Sequence, residues 1–486
     1  MYQFKTNPFK HQRHFFDYHK DDKVNALFWE QGCGKTKPVI DKTCYLYEQE
    51  KIDALIVIAP NGVHRNWVTD EIPAHMPDRV AKVTETFIWD SNRSDLKGFQ
   101  KELKWFEKHE GFSVLVMSYN AIMTKRGKDF LWKFLRHKTT HMVLDESHYI
   151  KTPGAKRTIR LLAAGKYAAY KSILTGTPIA KGPFDVYAPV KFLDDFFWHD
   201  RRLGSLQAFK TYFGIWLRAE DLKRDTGLDP GYDQLLGYKN IDKLEVHLKE
   251  ISHRLTKDDA GLDLPPKLYS KRYVKLTAAQ DRLYKELVSE FTAELDSGET
   301  VDAGLAIVRL LRLQQITCGY VGTEPGEPLI LLGDKNPRME ALKEICENTP
   351  HKAIIWARFT EDINQIMDLL GDEAVRYDGQ VSNDEKAAAK ESFQNGEAKF
   401  FVGNPQAGAT GLTLHAARTV VYYSNSFNLV DRLQSEDRAH RIGQEHPVNY
   451  IDLVVQGSVD EHIVKSLRSK HDIADEITGD KVKEWL

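Results

Sequence analysis

Phe28-Trp29-Glu30-Gln31-Gly32-Cys33-Gly34-Lys35-Thr36 closes an apolar stretch and opens a segment that reads as helix through Tyr47. Strand end, glycine turn and helix start in immediate succession make an α/β unit with an anion site at the turn. Gly32, Cys33 and Gly34 let the backbone fold closely around phosphate oxygens. The following helix then points its free N–H groups and positive dipole end at them. Lys35 is suited to neutralise β- and γ-phosphate charge, and the Thr36 hydroxyl to ligate Mg²⁺. The strict G-x-x-x-x-G-K-T spacing fails, because Trp29 holds the first glycine position. Taken alone, the motif competes with a plain glycine-rich turn.

Val143-Leu-Asp145-Glu146-Ser147-His148 decides between those readings. A strand ending in adjacent carboxylates puts Asp145 where it can hold a metal ion, and Glu146 where it can orient or deprotonate an attacking water. The competing reading, an acidic strand end capping the next helix, loses force with Lys35 and Thr36 upstream. Leu174-Thr175-Gly176-Thr177-Pro178 follows at another strand end, with two hydroxyls suited to relaying the state of a γ-phosphate. Near the N-terminus, Gln12 offers an amide whose paired donor and acceptor can read adenine. A solvent-facing helix start accounts for Gln12 equally well.

Outward from these motifs, Ala54–Ile58, Ser113–Met117, His141–Leu144 and Lys171–Leu174 are continuous apolar or β-branched runs. They read as central strands of a parallel sheet buried on both faces. The pattern returns in Ala353–Trp356, Phe400–Val402, Thr419–Tyr422 and Tyr450–Val454. The chain therefore reads as α/β with two lobes, 1–195 and 335–475, a region at 196–334 between them, and a tail at 476–486. The middle region reads mostly helical, with apolar spacing of three and four over Asp242–Arg254 and Ala278–Leu295. Leu264-Pro-Pro-Lys267 cannot lie inside a helix and marks the crossing between lobes.

Composition sets the outer limits. A chain of 486 residues is too long for one core. Hydrophobic content of 42% and charged content of 28% describe a globular protein, and no run is long enough to span a bilayer. Four scattered cysteines without C-x-x-C pairing argue against a zinc site or a disulfide framework and fit a reducing cytoplasm. With a net charge of −2, any positive field for nucleic acid must be local to a groove.

Two stretches remain. Gln406-Ala-Gly408-Ala-Thr410-Gly411-Leu-Thr413-Leu414 is a hydroxyl-bearing loop suited to ribose or a nucleic-acid backbone, or else a strand-to-helix turn with glycine caps. Gln434-Ser-Glu-Asp-Arg438-Ala-His440-Arg441-Ile-Gly-Gln444 puts two arginines three apart on one helical face or its frayed end. Such a fork suits a polyphosphate.

In this order the motifs resemble a superfamily-two helicase core, and more narrowly the SWI/SNF-like double-stranded-DNA translocases, from about Phe9 to about Ser469. Ala59-Pro60 through Trp67 and Glu71, Ser118-Tyr119, Asp145–His148, Leu174–Pro178, Arg254-x-x-Lys257, Leu264–Lys267, Tyr377-Asp-Gly379 and Arg438–Gln444 carry the resemblance. It implies two RecA-like parallel-sheet lobes with a helical inserted region between them and ATP with Mg²⁺ in the cleft. Lys35, Thr36, Asp145 and Glu146 would do the metal and hydrolysis chemistry, and Gln12 would contact adenine. Arg438 and Arg441 would be arginine fingers, with Gln444 and Gly411 at the nucleotide, and His148, Thr175 and Thr177 would couple ATP state to lobe closure. Nucleic acid would touch Asn61, Asn66, Ser118, Tyr119, Asn120, Thr175, Thr177, Tyr377, Asp378, Gly379, Gly408, Thr410 and Thr413. Backbone amides and hydroxyls dominate that track, which binds phosphate without reading sequence.

The sequence also departs from the family pattern. Phe28-Trp29 replaces small and acidic residues before the loop, Cys33 replaces leucine, Ser424–Leu429 lacks the usual D-x-W-N-P, and His253 replaces the first arginine of a pair. The expectation is an ATP-driven translocase on duplex DNA that remodels forks, reanneals strands or strips bound proteins. It is expected to be monomeric, without a histone-reading domain and recruited by a partner or by DNA structure. It resembles stand-alone bacterial or phage members or an annealing-helicase core, placing it in the cytoplasm, or the nucleus if eukaryotic. Two alternatives stand beside it. One is a strand-separating DNA or RNA helicase using Phe196-Phe-Trp198 as a wedge, against a plain core role for that cluster. The other is a non-hydrolysing ATP-binding clamp.

Overall fold

The computed structural model describes residues 2–61, 63–226, 231–262, 264–296, 303–322, 329–408, 412–478 and 480. Thr410 and Gly411 lie outside them. The strands are Val24–Trp29 (β1), Ala54–Ala59 (β2), Thr84–Ile88 (β3), Phe112–Ser118 (β4), Thr140–Asp145 (β5), Tyr170–Leu174 (β6), Gly214–Leu217 (β7), Gln234–Tyr238 (β8) and Ser252–Leu255 (β9). Then come Lys267–Val274 (β10), Tyr320–Val321 (β11), Ile330–Leu331 (β12), Ala353–Trp356 (β13), Ala374–Tyr377 (β14), Phe400–Gly403 (β15), Thr419–Tyr422 (β16) and Val448–Val455 (β17). Seven strands form one sheet in the order β3-β4-β2-β5-β6-β1-β9, and six form another in the order β10-β17-β16-β13-β15-β14. Every pairing in both is parallel. The α/β class with two parallel sheets is as the sequence led one to expect.

Strand alternation builds the cores. Along β2, Ile56 and Ile58 enter one buried cluster with Phe28, Leu115 and Leu144. Leu55 and Val57 enter another, with Leu27, Val116 and Val143, on the opposite face. The second sheet repeats this, with Ile355 and Val402 on one side and Ile354 and Phe401 on the other. A strand covered on both faces is apolar at every position, which is why these runs are continuous in sequence.

The chain divides into two compact units, one of residues 1–214, 238–263 and 473–482, the other of 215–237, 264–472 and 483–486. The region 196–334, expected between the lobes, is thus shared out between them. The helix expected over Asp242–Arg254 stops sooner: Ile241–Lys249 is helical and Ser252–Leu255 becomes β9. The outer edge of β1 imposes this change. Ala26 donates to the Ile251 carbonyl at 3.1 Å and Glu30 to that of Leu255 at 2.9 Å, bonds that satisfy amides along this edge. Ala278–Asp296 is helical as the spacing indicates.

In a parallel sheet the carboxyl ends of the strands share one edge, where ligands gather. The loops after β5, β6 and β1, three neighbours in sheet order, carry Asp145–His148, Thr175–Thr177 and Gly32–Lys35 respectively.

Candidate active site

The glycine loop behaves as its residues dictate. Gly32 and Gly34 have φ of 88° and 70°, a region in which a Cβ is strained. At Gly34 a Cβ would also stand 2.5 Å from the Gln12 amide nitrogen. Gln12 is buried, accepts from the Phe9 N–H at 2.9 Å and donates to the Gly34 carbonyl at 2.9 Å. It is therefore a strut between the first helix and the loop, not a solvent-facing helix start. The neighbouring His11 imidazole lies 2.9 Å from the Cys33 carbonyl. Cys33 buries its thiol in the core, which accounts for its standing where leucine is usual. Lys35 donates to the Trp29 and Glu30 carbonyls at 3.0 and 3.2 Å, so its ammonium is held across the loop. Thr36 begins the helix Thr36–Glu48.

Asp145 ends β5 with both oxygens engaged. The Trp67 indole N–H donates to Oδ2 at 2.9 Å, and the Glu146 N–H to Oδ1 at 3.0 Å. Burial, then the neighbouring Glu146 charge, pushes its pKa up to about 6, against the Trp67 bond and the Lys35 charge. Glu146 takes a left-handed conformation, φ 52°, which costs a non-glycine residue about 1 kcal/mol and recurs at functional sites. Its carboxylate lies 3.3 Å from His148 Nδ1 and accepts from Thr175 Oγ1 at 3.4 Å and Gln31 Nε2 at 3.5 Å. Thr175 also accepts from the Thr177 N–H at 3.1 Å and sits 3.4 Å from His148. Glu146, His148 and Thr175 form one cluster, tied through Gln31 to the glycine loop. Thr177 keeps a buried hydroxyl without a hydrogen-bond partner among the described residues.

The residues present fit a hard divalent cation. Thr36 and Asp145 offer the oxygen donors such a cation takes, and Asp145 stands buried beside the Glu146 carboxylate. Among the described residues no group of three or more His, Cys, Asp or Glu side chains is arranged to hold a metal ion.

In the second unit Arg438 and Arg441 follow the helix Leu429–Glu436 and lie in the turn beyond it, the frayed end of the two alternatives. Both guanidinium groups donate to the Leu412 carbonyl at 3.2 Å, and Arg441 also to Thr413 Oγ1 at 2.9 Å. Gln444 is committed within the same unit. Its amide donates to the carbonyls of His415, Ala417 and Ala439 at 2.9 to 3.1 Å and accepts from the His446 N–H at 3.0 Å. A buried side chain so occupied holds the turn together and has little left to offer a nucleotide. Behind the turn, Glu436 accepts from Lys267 at 3.1 Å, Tyr269 at 2.7 Å and Arg432 at 2.7 Å, which anchors the helix to β10.

The residues expected to touch nucleic acid divide by exposure. Asn61, Asn120 and Gly379 are exposed, Asn66 and Thr413 half-buried. Gly408 ends the short helix Pro405–Gly408. Ser118 accepts from the Ala121 N–H at 3.1 Å, and Tyr119 is 1% exposed, with its hydroxyl on the Asp145 carbonyl at 2.9 Å. Tyr377 is buried in the core. Burial opposes ionisation of Asp378, but the Arg376 guanidinium at 2.6 Å and the Gln380 N–H hold its carboxyl below the usual range. For Ser118, Tyr119, Tyr377 and Asp378 the side chain therefore shapes the loop, and what these positions present is mainly backbone. The Phe196–Trp198 cluster resolves toward the core. Trp198 is 1% exposed and packs 4.8 Å from Phe209, and only Phe196 faces outward.

Sequence reasoning assigned no role to Trp67 or Gln31, the two side chains that reach Asp145 and Glu146. Trp67 stood inside a recognised motif; Gln31 had only its place in the loop as a signal.

A model described as the SNF2-related domain matches residues 13–319, and one described as the helicase conserved C-terminal domain matches residues 337–443. Transcription regulatory protein SNF2 of Saccharomyces cerevisiae is 24% identical over 93% of this chain and 27% of its own length. The ISWI chromatin-remodeling complex ATPase ISW1 of the same yeast is 25% identical over 93% of this chain and 38% of its own. The chain thus spans between about a quarter and two fifths of these relatives. A solved structure, the Sulfolobus solfataricus SWI2/SNF2 ATPase core in complex with dsDNA, covers 98% of this chain and 95% of its own at 23% identity, with a TM-score of 0.41. The fold assignment rests on the two sheets themselves, and on a family model that takes in residues 13–319 the chain belongs to the SNF2-related family.

Proposed function

We propose that this chain is an ATP-driven motor that moves along double-stranded DNA without reading its sequence, remodelling forks, reannealing strands or displacing bound proteins. One observation carries the chemistry: neighbouring strand ends bear Asp145–Glu146, Thr175 and the Lys35 loop, with Gln31 reaching from that loop to Glu146. In this reading Lys35 and the loop amides grip the phosphates of ATP, and Glu146 takes a proton from the attacking water. His148 and Thr175 hold the Glu146 carboxylate and sense whether a γ-phosphate is present. Arg438 and Arg441 supply positive charge to that phosphate as the transition state forms. Thr36 and Asp145 would hold magnesium, which when bound neutralises phosphate charge. Membership in the SNF2-related family and a relative named as a remodelling ATPase support hydrolysis over a passive clamp.

The duplex track rests on the resemblance and on loops rich in amides and hydroxyls. Burial of Phe197 and Trp198 leaves only Phe196 of that cluster exposed, which weakens the wedge that a strand-separating reading would use. The test is ATP turnover without nucleic acid, with single-stranded DNA, with blunt duplex and with RNA, using Lys35→Ala and Glu146→Gln as blanks. Duplex-specific stimulation that vanishes in both variants is expected. Stimulation by single strands or RNA alone would transfer the proposal to an unwinding helicase, and no turnover under any condition would leave the clamp.

A further inference from the structure

The seven-stranded sheet ends on β3, which pairs only with β4. Along a parallel strand a residue's N–H and C=O leave the same side, and successive residues alternate. Val83 accepts from Phe112, and Trp89 donates to Val116, so the odd-numbered residues face β4. Thr84, Thr86 and Ile88 therefore turn their N–H and C=O outward. An open edge of this kind pairs with another extended chain unless something covers it.

The space beside it is a groove of about 770 Å³, lined by Glu85–Ile88 of the strand and by Gly98, Lys101, Lys104, Trp105 and Lys108 at the helix Lys97–Glu107. Phe99, Leu103 and Phe106 of that helix are buried in the core, and Phe106 stacks on Phe87 of β3. The spacing of three and four then brings Lys101, Lys104, Trp105 and Lys108 together on the outer side. Trp105 is 70% exposed beside these lysines, so the groove offers an apolar surface as well as charge. The charges in the groove are not balanced. Arg65 pairs with Asp90 and Arg93 with Glu102, each at 3.3 Å. This leaves Lys101, Lys104 and Lys108 facing Glu85 alone.

We propose that this groove docks an extended acidic peptide from a partner protein, which adds to β3 as an eighth strand. The backbone of the peptide bonds Thr84, Thr86 and Ile88, its carboxylates meet the three lysines, and an apolar residue covers Trp105. Duplex DNA fits less well, because it has no N–H or C=O row to match the strand edge.

The test uses the full chain and a fluorescein-labelled, end-capped peptide of alternating glutamate and valine, read by anisotropy. Duplex DNA and a lysine–valine peptide run alongside. Saturable binding of the acidic peptide and none of the basic one is expected. A triple Lys101→Glu, Lys104→Glu, Lys108→Glu variant, altered only at exposed positions, should bind the acidic peptide at least about tenfold more weakly. Thr86→Pro removes an outward N–H without touching the β4 ladder, a place where a sheet tolerates proline, and should weaken binding by a similar factor. Unchanged affinity in either variant overturns strand addition at this groove. If the triple variant loses duplex DNA while the acidic peptide never bound, the groove is a nucleic-acid surface and the proposal is wrong.

Discussion

At the residue scale the site is built around a carboxylate under strain. Asp145 has two donors, and the stronger is an indole N–H from Trp67. Trp67→Phe keeps most of the buried volume but deletes that donor, which drives the Asp145 pKa further up and lets the carboxylate swing. Loss of a hydrogen bond to a charged group is worth about 1.5–3 kcal/mol, so turnover should fall roughly 10- to 100-fold with KM for ATP nearly unchanged. Steady-state kinetics separates the two, and a rise in KM at constant turnover would show that Trp67 serves binding instead. His253 makes a second case. It accepts from the Trp29 indole at 2.8 Å, and burial, then the nearby His19, His14 and His11, lowers its pKa to about 4. Above pH 6.5 folded and unfolded chains both hold it neutral and its contribution is complete. As pH falls from 6.5 toward 4 the unfolded chain takes the proton first, and stability is lost. The half-buried ring limits this to roughly 1–2 kcal/mol. His253→Asn keeps an acceptor for Trp29 and removes the titration, so urea midpoints should vary less between pH 4.5 and 7 than in the parent. Parallel pH profiles for the two proteins would count against the histidine. Trp29 and His253 were each legible only as departures from a pattern. That they compensate one another needed the fold, since 224 positions separate them.

Elements were legible where burial on both faces made a strand apolar throughout, as in Ala54–Ala59 and Ala353–Trp356. They were not where a distant partner decides. Ser252–Leu255 has three half-buried polar residues before one buried leucine and continues a helical spacing, yet it is a strand because β1, more than 220 positions earlier, needs its edge closed. Thr84–Ile88 is mostly half-buried, and an edge strand carries too short an apolar signal to be seen. Arg254 in β9 shows what such placement does. Its guanidinium donates to the Phe28 carbonyl at 2.6 Å and to Asp480 at 2.5 to 3.1 Å, tying β1, β9 and the segment after the helix Val459–Thr478 together. Asp480→Ala leaves that guanidinium largely buried with the Phe28 carbonyl and the more distant Glu30 carboxylate at 3.9 Å, a cost of about 2–3 kcal/mol for a partly buried pair. The denaturation midpoint should drop, and amide exchange should quicken over residues 473–478 while the helix's earlier turns stay protected. Uniform exchange along the helix, or no change in midpoint, would mean that the pair contributes little.

For the molecule as a whole, the α/β class follows from eight apolar runs and from motifs in a fixed order, because parallel sheets and strand-end loops write themselves locally. What stayed hidden is the allocation of side chains inside the loops. Ser118, Tyr119, Tyr377, Asp378 and Gln444 lie in motif loops, yet their side chains are spent on their own surroundings. The proposed track is then made mainly of backbone amides, asparagines and threonines, on a chain whose 68 basic and 70 acidic residues nearly cancel. A long-range positive field is therefore absent, and duplex affinity must come from a small number of local phosphate contacts. Each neutralised phosphate contributes about −0.9 to the slope of log affinity against log salt concentration. Few charged contacts give a shallow line, expected between about −2 and −5 for this chain. Binding to blunt duplexes of unrelated sequence, measured across a range of salt, should give the same slope for each. A slope near −10 would demand a lysine- and arginine-lined channel that these loops do not supply, and would move the DNA path to another surface.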